Sequence, residues 1–347
     1  MRLFRSRRWI AAAIVSLGVI AVGTWALAGS VRYATAPTPI TVTATPIASF
    51  DNRDPTRVRF GALEFRGGLA LTSDFAAFGG ISGLQVDKDG AHVLAVTDRG
   101  SWLKARIVYR DGRPDGLADA EMGPLLGANG KPLASQRLYD TESLTRIGDA
   151  LYVGIERVHR IVRFAVKDGF AARGKEIARP PEFKSLRYNG GLECLASPPQ
   201  GQPHAGKLIA VTEESLDGAG NLRAFVLDPA SRNAAAALHF TVKRSDSFDV
   251  SDCAILPPGD LLLLERSYSP LRGVAMRIRR MPVSEIKEGA VVDGPELIKA
   301  DLGYQIDNME GMAVHRNEAG ETIITLMSDD NFSAIQRNIL LQFALVD

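Results

Sequence analysis

The chain has 347 residues, with 41 basic against 40 acidic side chains, 46% hydrophobic residues and two cysteines. It is too apolar for disorder, and a mean hydropathy of −0.01 excludes a polytopic membrane protein. Two cysteines exclude a disulfide scaffold or a Cys-rich zinc module, and a net charge of +1 gives no reason to expect a nucleic-acid partner.

At the N-terminus, Arg2, Arg5, Arg7 and Arg8 precede the uncharged run WIAAAIVSLGVIAVGTWALA, which ends in small residues at Ala26 and Ala28. A basic n-region, an apolar h-region and an A-x-A-like end read as an export signal over residues 1–28. The run also has the length, about 20 residues, to span a bilayer as an uncleaved anchor over residues 9–28. Ser6-Arg7-Arg8-Trp9-Ile10 resembles a twin-arginine signal. Either form makes the remainder periplasmic or secreted, free or held at the membrane by this segment. Residues 29–57, rich in Thr, Pro and Ala, read as a stiff linker, which leaves 58–347 as the folded domain.

Beyond residue 57 short apolar runs alternate with turn clusters, and one pattern recurs five times. ISGLQVD is followed by HVLAVTDRG, TESLTRI by ALYVGIER, LECLASP by KLIAVTEES, VSDCAILP by DLLLLERS, and MEGMAVH by TIITLMSDDN. The opening residues Ser82, Glu142, Glu193, Asp252 and Glu310 stand 60, 51, 59 and 58 residues apart. A period of 50 to 60 residues with about four strands each predicts an all-β fold, a β-propeller. Five blades are directly visible, and a sixth, degenerate one has room in residues 100–140. The fifth copy stops one strand short after ILLQFALV, and VRFGALEFRGGLALT near the start can supply that strand and close the ring.

Equivalent positions of the innermost strands lie on a ring around the channel, so Glu142, Glu193, Asp252 and Glu310 are expected to converge there. Carboxylates at close range repel one another, and a ring of them is stabilised by a hard cation, Ca²⁺ or Mg²⁺. Asp307, with Asn189 and Asn308, adds oxygens beside them. The second strands end in Asp98, Glu156, Glu213, Glu265 and Asp329, and three of these acids are followed by Arg99, Arg157 and Arg266. A guanidinium fork suits a small anionic or ester substrate, and it equally suits structural pairing with a neighbouring blade's acid. Acids at strand ends also serve as plain turn residues. Cys194 and Cys253 follow two of the ring acids and are read as buried free thiols, with a disulfide as the alternative. No G-x-S-x-G elbow occurs, and His92, His159, His204, His239 and His315 lack zinc-ligand spacing.

The segments NGGLECLA at 189–196, LLLLERSYSP at 261–270, DNMEGMAV at 307–314 and SDDNFSAIQRNILLQFAL at 328–345 resemble the phytase-like family, also described as the esterase-like activity of phytase. The resemblance covers residues 60–346. It implies a propeller related to β-propeller phytases and, more distantly, to lactonase-type propellers that hold calcium in the channel. By the same resemblance Glu142, Glu193, Asp252 and Glu310 are the channel acids, and Arg157, Arg266 and Asn331 line the mouth. Two functions are expected from different classes. One is a metal-dependent hydrolase of phosphoesters or other esters, with Glu193 or Glu310 as general base. The other is a non-catalytic binding propeller with a structural cation.

Overall fold

The structure is a computed structural model that describes residues 33–233 and 238–346. The expected export signal or anchor, residues 1–28, lies outside them. Among the described residues no helix is long and apolar enough to cross a membrane.

Period-two alternation in the sequence becomes strands, and the Asp, Asn and Gly clusters become the turns between them. In one such turn Asp217 Oδ1 accepts from the backbone N–H groups of Ala219 and Asn221, both at 2.8 Å. The described strands form five sheets. Blade one holds Ile81–Val86, His92–Thr97, Ser101–Arg110 and Arg113–Pro124. Blade two holds Thr141–Ile147, Ala150–Ile155, Arg160–Ala165 and the short Lys175–Glu176. Blade three holds Leu192–Ala196, Leu208–Leu216, Leu222–Leu227 and Leu238–Val242, with Val291–Val292 added in parallel at its rim. Blade four holds Asp249–Leu256, Asp260–Ser269, Gly273–Met281 and Glu296–Asp301.

Blade five is built from both ends of the chain. Asn308–Arg316, Thr322–Asp329 and Asn338–Leu345 are completed by Leu63–Thr72, which pairs antiparallel with the last strand from Asn338↔Leu71 to Leu345↔Leu63. This closure is the one the truncated fifth repeat implied. It leaves no unpaired sheet edge between the first and last blades. Innermost strands pack blade to blade around the ring, and the fifth returns to the first. Five apolar clusters fill the spaces between consecutive blades.

Two expectations need correction. Residues 100–140 hold no sixth blade: they are the two outer strands of blade one and a single 3₁₀ turn, Ala134–Gln136. The described part of the expected linker is not a spacer. Thr38–Pro39 pairs with Arg113–Pro124, and Thr43–Ile47 forms the outer strand of blade five against Leu63–Thr72. Phe50 is fully buried, edge-on to Phe60 and Phe343 with ring centroids 5.0 Å apart in both pairs. We expect Phe50→Leu to cost roughly 1.5 kcal/mol in chemical denaturation, as core truncations do. No change would return the segment to a spacer.

Candidate functional site

Each innermost strand carries a β-bulge at the same place, where two residues face one on the second strand. A bulge turns the extra side chain out of the alternating pattern, here toward the channel. The extra residues are Glu142 opposite Ile155–Gly154, Glu193 opposite Thr212–Val211, and Glu310 opposite Ser328–Met327. Blade one has Ser82 there, with Gly83. In blade four the register runs Val250↔Glu265 then Asp252↔Leu264, so the extra residue is Ser251. The expected ring therefore shifts by one residue in blade four: it reads Ser82, Glu142, Glu193, Ser251, Glu310.

The shift explains where Asp252 goes. Its Oδ1 accepts from Cys253 N–H of its own strand at 2.7 Å, and its Oδ2 from Met312 N–H at 2.6 Å, which ties blade four to blade five. It is fully buried and does not join the other three acids as an open ligand. Ser251 and Ser143 make similar links, donating to Met309 O at 2.8 Å and Leu192 O at 3.3 Å in the next blade. Asp307 also faces away, accepting from the backbone N–H groups of Asn308 and Arg337 at 2.9 and 3.1 Å.

The second-strand ends form a tier beside the bulges, and here too blade four is displaced. Pairing sets Asp98 against Gly80, Glu156 against Asp140, Glu213 against Gly191 and Asp329 against Asn308. The matching pair in blade four is Arg266 against Asp249. Four blades thus present an acid and one presents an arginine. Glu265 leaves the channel altogether, gripped by Arg277 and Arg279 of the adjoining strand.

Ligand-type oxygens of Glu156, Glu193 and Glu213 lie within 4.8 Å of one another, a spacing that carboxylates around one Ca²⁺ at 2.3–2.6 Å satisfy. Glu156 is fixed for this by Gly190 and Gly191, whose N–H groups both donate to its Oε1. The glycines of NGGLECLA are required for that approach. Gly190 has φ +132°, and a Cβ on Gly191 would stand 2.6 Å from His159 Nδ1. Arg266 Nη2 reaches Glu213 at 2.9 Å and Glu310 at 3.5 Å, while its Nη1 donates to Asn308 Oδ1 at 2.9 Å. Asn308 Nδ2 in turn donates to Glu310 at 2.7 Å.

Burial dominates the electrostatics. It pushes the Asp98 carboxyl up to about 7 against the opposing pull of Arg99, and Asp140 up to about 7 against Arg157. Glu213 rises to about 7 against Arg266, and Asp329 to about 9, where Glu310 and Asp98 add repulsion. Glu142 and Glu193 are raised well above the ordinary carboxylate range by burial and by their neighbours' charges. Such a set is acid-rich and short of cations. A hard divalent ion fits it, and Glu156, Glu193 and Glu213, with Glu142 and Glu310 beside them on the bulges, are the residues that would hold one.

At the mouth Arg157 Nε pairs with Asp140 at 2.6 Å, its guanidinium near the rings of Tyr139 and Tyr188. Arg99 stacks over Phe332, 3.5 Å from the ring centroid. Asn331 is exposed with φ 47°, its N–H donating to Asp329 at 2.7 Å. Sequence reasoning placed Glu156 and Glu213 at this face without assigning them as ligands, and it missed Asp140. The available signal was its position before Thr141-Glu142, matching Asn308 before Met309-Glu310. The cysteines are not free thiols: Cys194 and Cys253 form a disulfide between the innermost strands of blades three and four. A second group, Asp87, Asp89 and His92, is exposed and occupied with its own hairpin, where Asp87 takes the N–H and ring nitrogen of His92.

Among solved structures the chain is similar to the Myxococcus xanthus glutaminyl cyclase, at 13% identity and a TM-score of 0.40 over 78% of this chain and 92% of that one. It is also similar to the WD40 domain of Toxoplasma gondii coronin, at 9% identity and a TM-score of 0.34 over 91% and 89%. A putative oxidoreductase (glucose dehydrogenase) of Thermus thermophilus matches at 13% identity and a TM-score of 0.35 over 87% and 99%. No curated protein matches the chain. The model of the phytase-like family, described as the esterase-like activity of phytase, matches residues 76–332, and the chain belongs to that family.

Proposed function

We propose that this protein is an exported, cation-dependent hydrolase of phosphoesters or other esters, working at the acidic mouth of the propeller channel. The observation that carries the reading is the gathering of three bulge carboxylates, Glu142, Glu193 and Glu310, with Glu156 and Glu213 near half-buried arginines. When bound, the cation supplies Lewis-acid polarisation of the substrate oxygen and a lowered pKa for water. Glu310 is the better placed general base, because burial raises its pKa while Arg266 and Asn308 both favour its charged form. Arg157 and Arg99 offer donors to an anionic group, with Tyr139, Tyr188 and Phe332 as flat walls beside them. Export is supported by the basic and apolar N-terminal run and by the Cys194–Cys253 disulfide, a bond typical of oxidising compartments.

The test is calorimetric titration of Ca²⁺ into chelator-treated protein, followed by turnover of nitrophenyl phosphate, nitrophenyl acetate, phytate and lactones. Glu193→Gln is expected to weaken Ca²⁺ at least tenfold and to abolish turnover, in line with the loss of a charged ligand. Tight Ca²⁺ binding without turnover of any ester favours the binding-propeller reading. Identical titrations for wild type and variant remove the site.

A further inference from the structure

We propose that Arg266 is a built-in cation of this ring, standing where a second metal ion would sit, so that the channel mouth takes one inorganic cation only. The inference rests on the cation-binding reading above and goes beyond it to the number and place of the ions.

Position is the first argument. At the register place where the other blades carry Asp98, Glu156, Glu213 and Asp329, blade four carries Arg266. Charge of the opposite sign thus enters the tier once, and it enters next to the acids rather than outside them. Contact is the second argument. The guanidinium lies between Glu213 at 2.9 Å and Glu310 at 3.5 Å, acids of blades three and five, and Asn308 holds its other nitrogen. Its Nε is buried without a hydrogen-bond partner, so the group is placed by the carboxylates and not by its own strand.

Arg157 and Arg99, the arginines sequence reading grouped with it, do not share this place. Arg157 pairs with Asp140 and Arg99 lies over Phe332. The remaining clustered oxygens, those of Glu156, Glu193 and Glu213, lie toward blades two and three, which leaves room there for a single cation. An arginine cannot be lost to a chelator or replaced by a competing ion, so its share of the ring's neutralisation is permanent.

Native mass spectrometry and calorimetry of the chelator-treated protein with Ca²⁺ test this. Wild type is expected to take one ion, and Arg266→Gln two, because Glu213 and Glu310 are then left uncompensated. Arg266→Lys, which keeps the charge, is expected to take one. Without Ca²⁺, Arg266→Gln should melt below wild type, and added Ca²⁺ should raise its Tm by at least twice the wild-type increment. A single ion bound by Arg266→Gln with affinity within twofold of wild type overturns the proposal, as do two ions in wild type or in Arg266→Lys. Wild type taking no ion defeats the cation reading of the site itself. In that event uptake of one ion by Arg266→Gln still supports the built-in role, and uptake of none overturns it.

Discussion

Stripped of divalent cations, the protein is expected to lose thermal stability steadily as pH rises from 5 to 9, the reverse of ordinary acid denaturation. Asp98, Asp140 and Glu213 hold their protons up to about 7 and Asp329 up to about 9, against ordinary values of 3.8 for Asp and 4.5 for Glu. A carboxyl whose folded pKa is raised binds more protons in the folded state. Its contribution is therefore fully present below about pH 4 and is lost as pH passes through 7 and then 9. Carrying Asp98 alone from 3.8 to about 7 is worth about 4 kcal/mol. At the acid end Asp51 and Asp217, held low chiefly by the N–H groups of Arg53 and Asn221, lose their own contribution. The metal-free optimum should accordingly lie near pH 4, with Tm about 10 °C lower at pH 8 by the usual size scaling. Calcium competes with protons for the same oxygens, so its affinity rises with pH. At a thousand times Kd it restores about 4 kcal/mol. Scanning calorimetry across this range, with chelator and with Ca²⁺, is the measurement. A chelated protein whose Tm is flat or rises between pH 5 and 8 would show that the carboxylates are not packed against one another as described.

The propeller was legible because its signal is periodic: strands must alternate to bury one face, and five copies repeat the alternation. Ring closure was legible for a related reason, since a fifth blade one strand short must find its partner elsewhere. What sequence could not supply was the bulge. A bulge inserts one residue without changing the apolar pattern around it, so VSDC aligns equally well with LECL through either polar residue. Choosing the carboxylate put Asp252 in the ring and, by the same slip, put Glu265 where Arg266 belongs. The serine that occupies the place has its counterpart in Ser82 of blade one, a clue outweighed by the preference for acids. Residues 38–51 misled for a different reason. A half-exposed outer strand needs few apolar side chains, so Thr, Pro and Ala hide it, and only Phe50 marks the segment as anchored.

Glu265→Ala is expected to be among the most damaging single changes in the molecule, costing about 3–5 kcal/mol and about 10 °C in Tm. Glu265 is fully buried, and its two oxygens take Nε and Nη2 of both Arg277, at 2.8 and 3.1 Å, and Arg279, at 2.7 and 2.6 Å. Both arginines are themselves only 3% exposed. Removing the carboxylate leaves two guanidinium groups inside the blade with only solvent-exposed acids beside them, Asp293 at 2.6 Å from Arg279 and Asp246 at 3.8 Å from Arg277. Ser245 and the Lys243 carbonyl satisfy hydrogen bonds but carry no charge. The loss should be the same with and without Ca²⁺, because Glu265 faces away from the channel. Glu193→Gln is expected to behave in the opposite way, affecting cation binding much more than the metal-free protein. Replacing all three residues of the cluster by apolar ones of similar volume should recover much of the loss, since it is the unpaired charge that costs. Chemical denaturation of Glu265→Ala in chelator and in Ca²⁺ decides the matter. A cost below about 1 kcal/mol together with lost Ca²⁺ affinity would return Glu265 to the channel face that the repeat first assigned it.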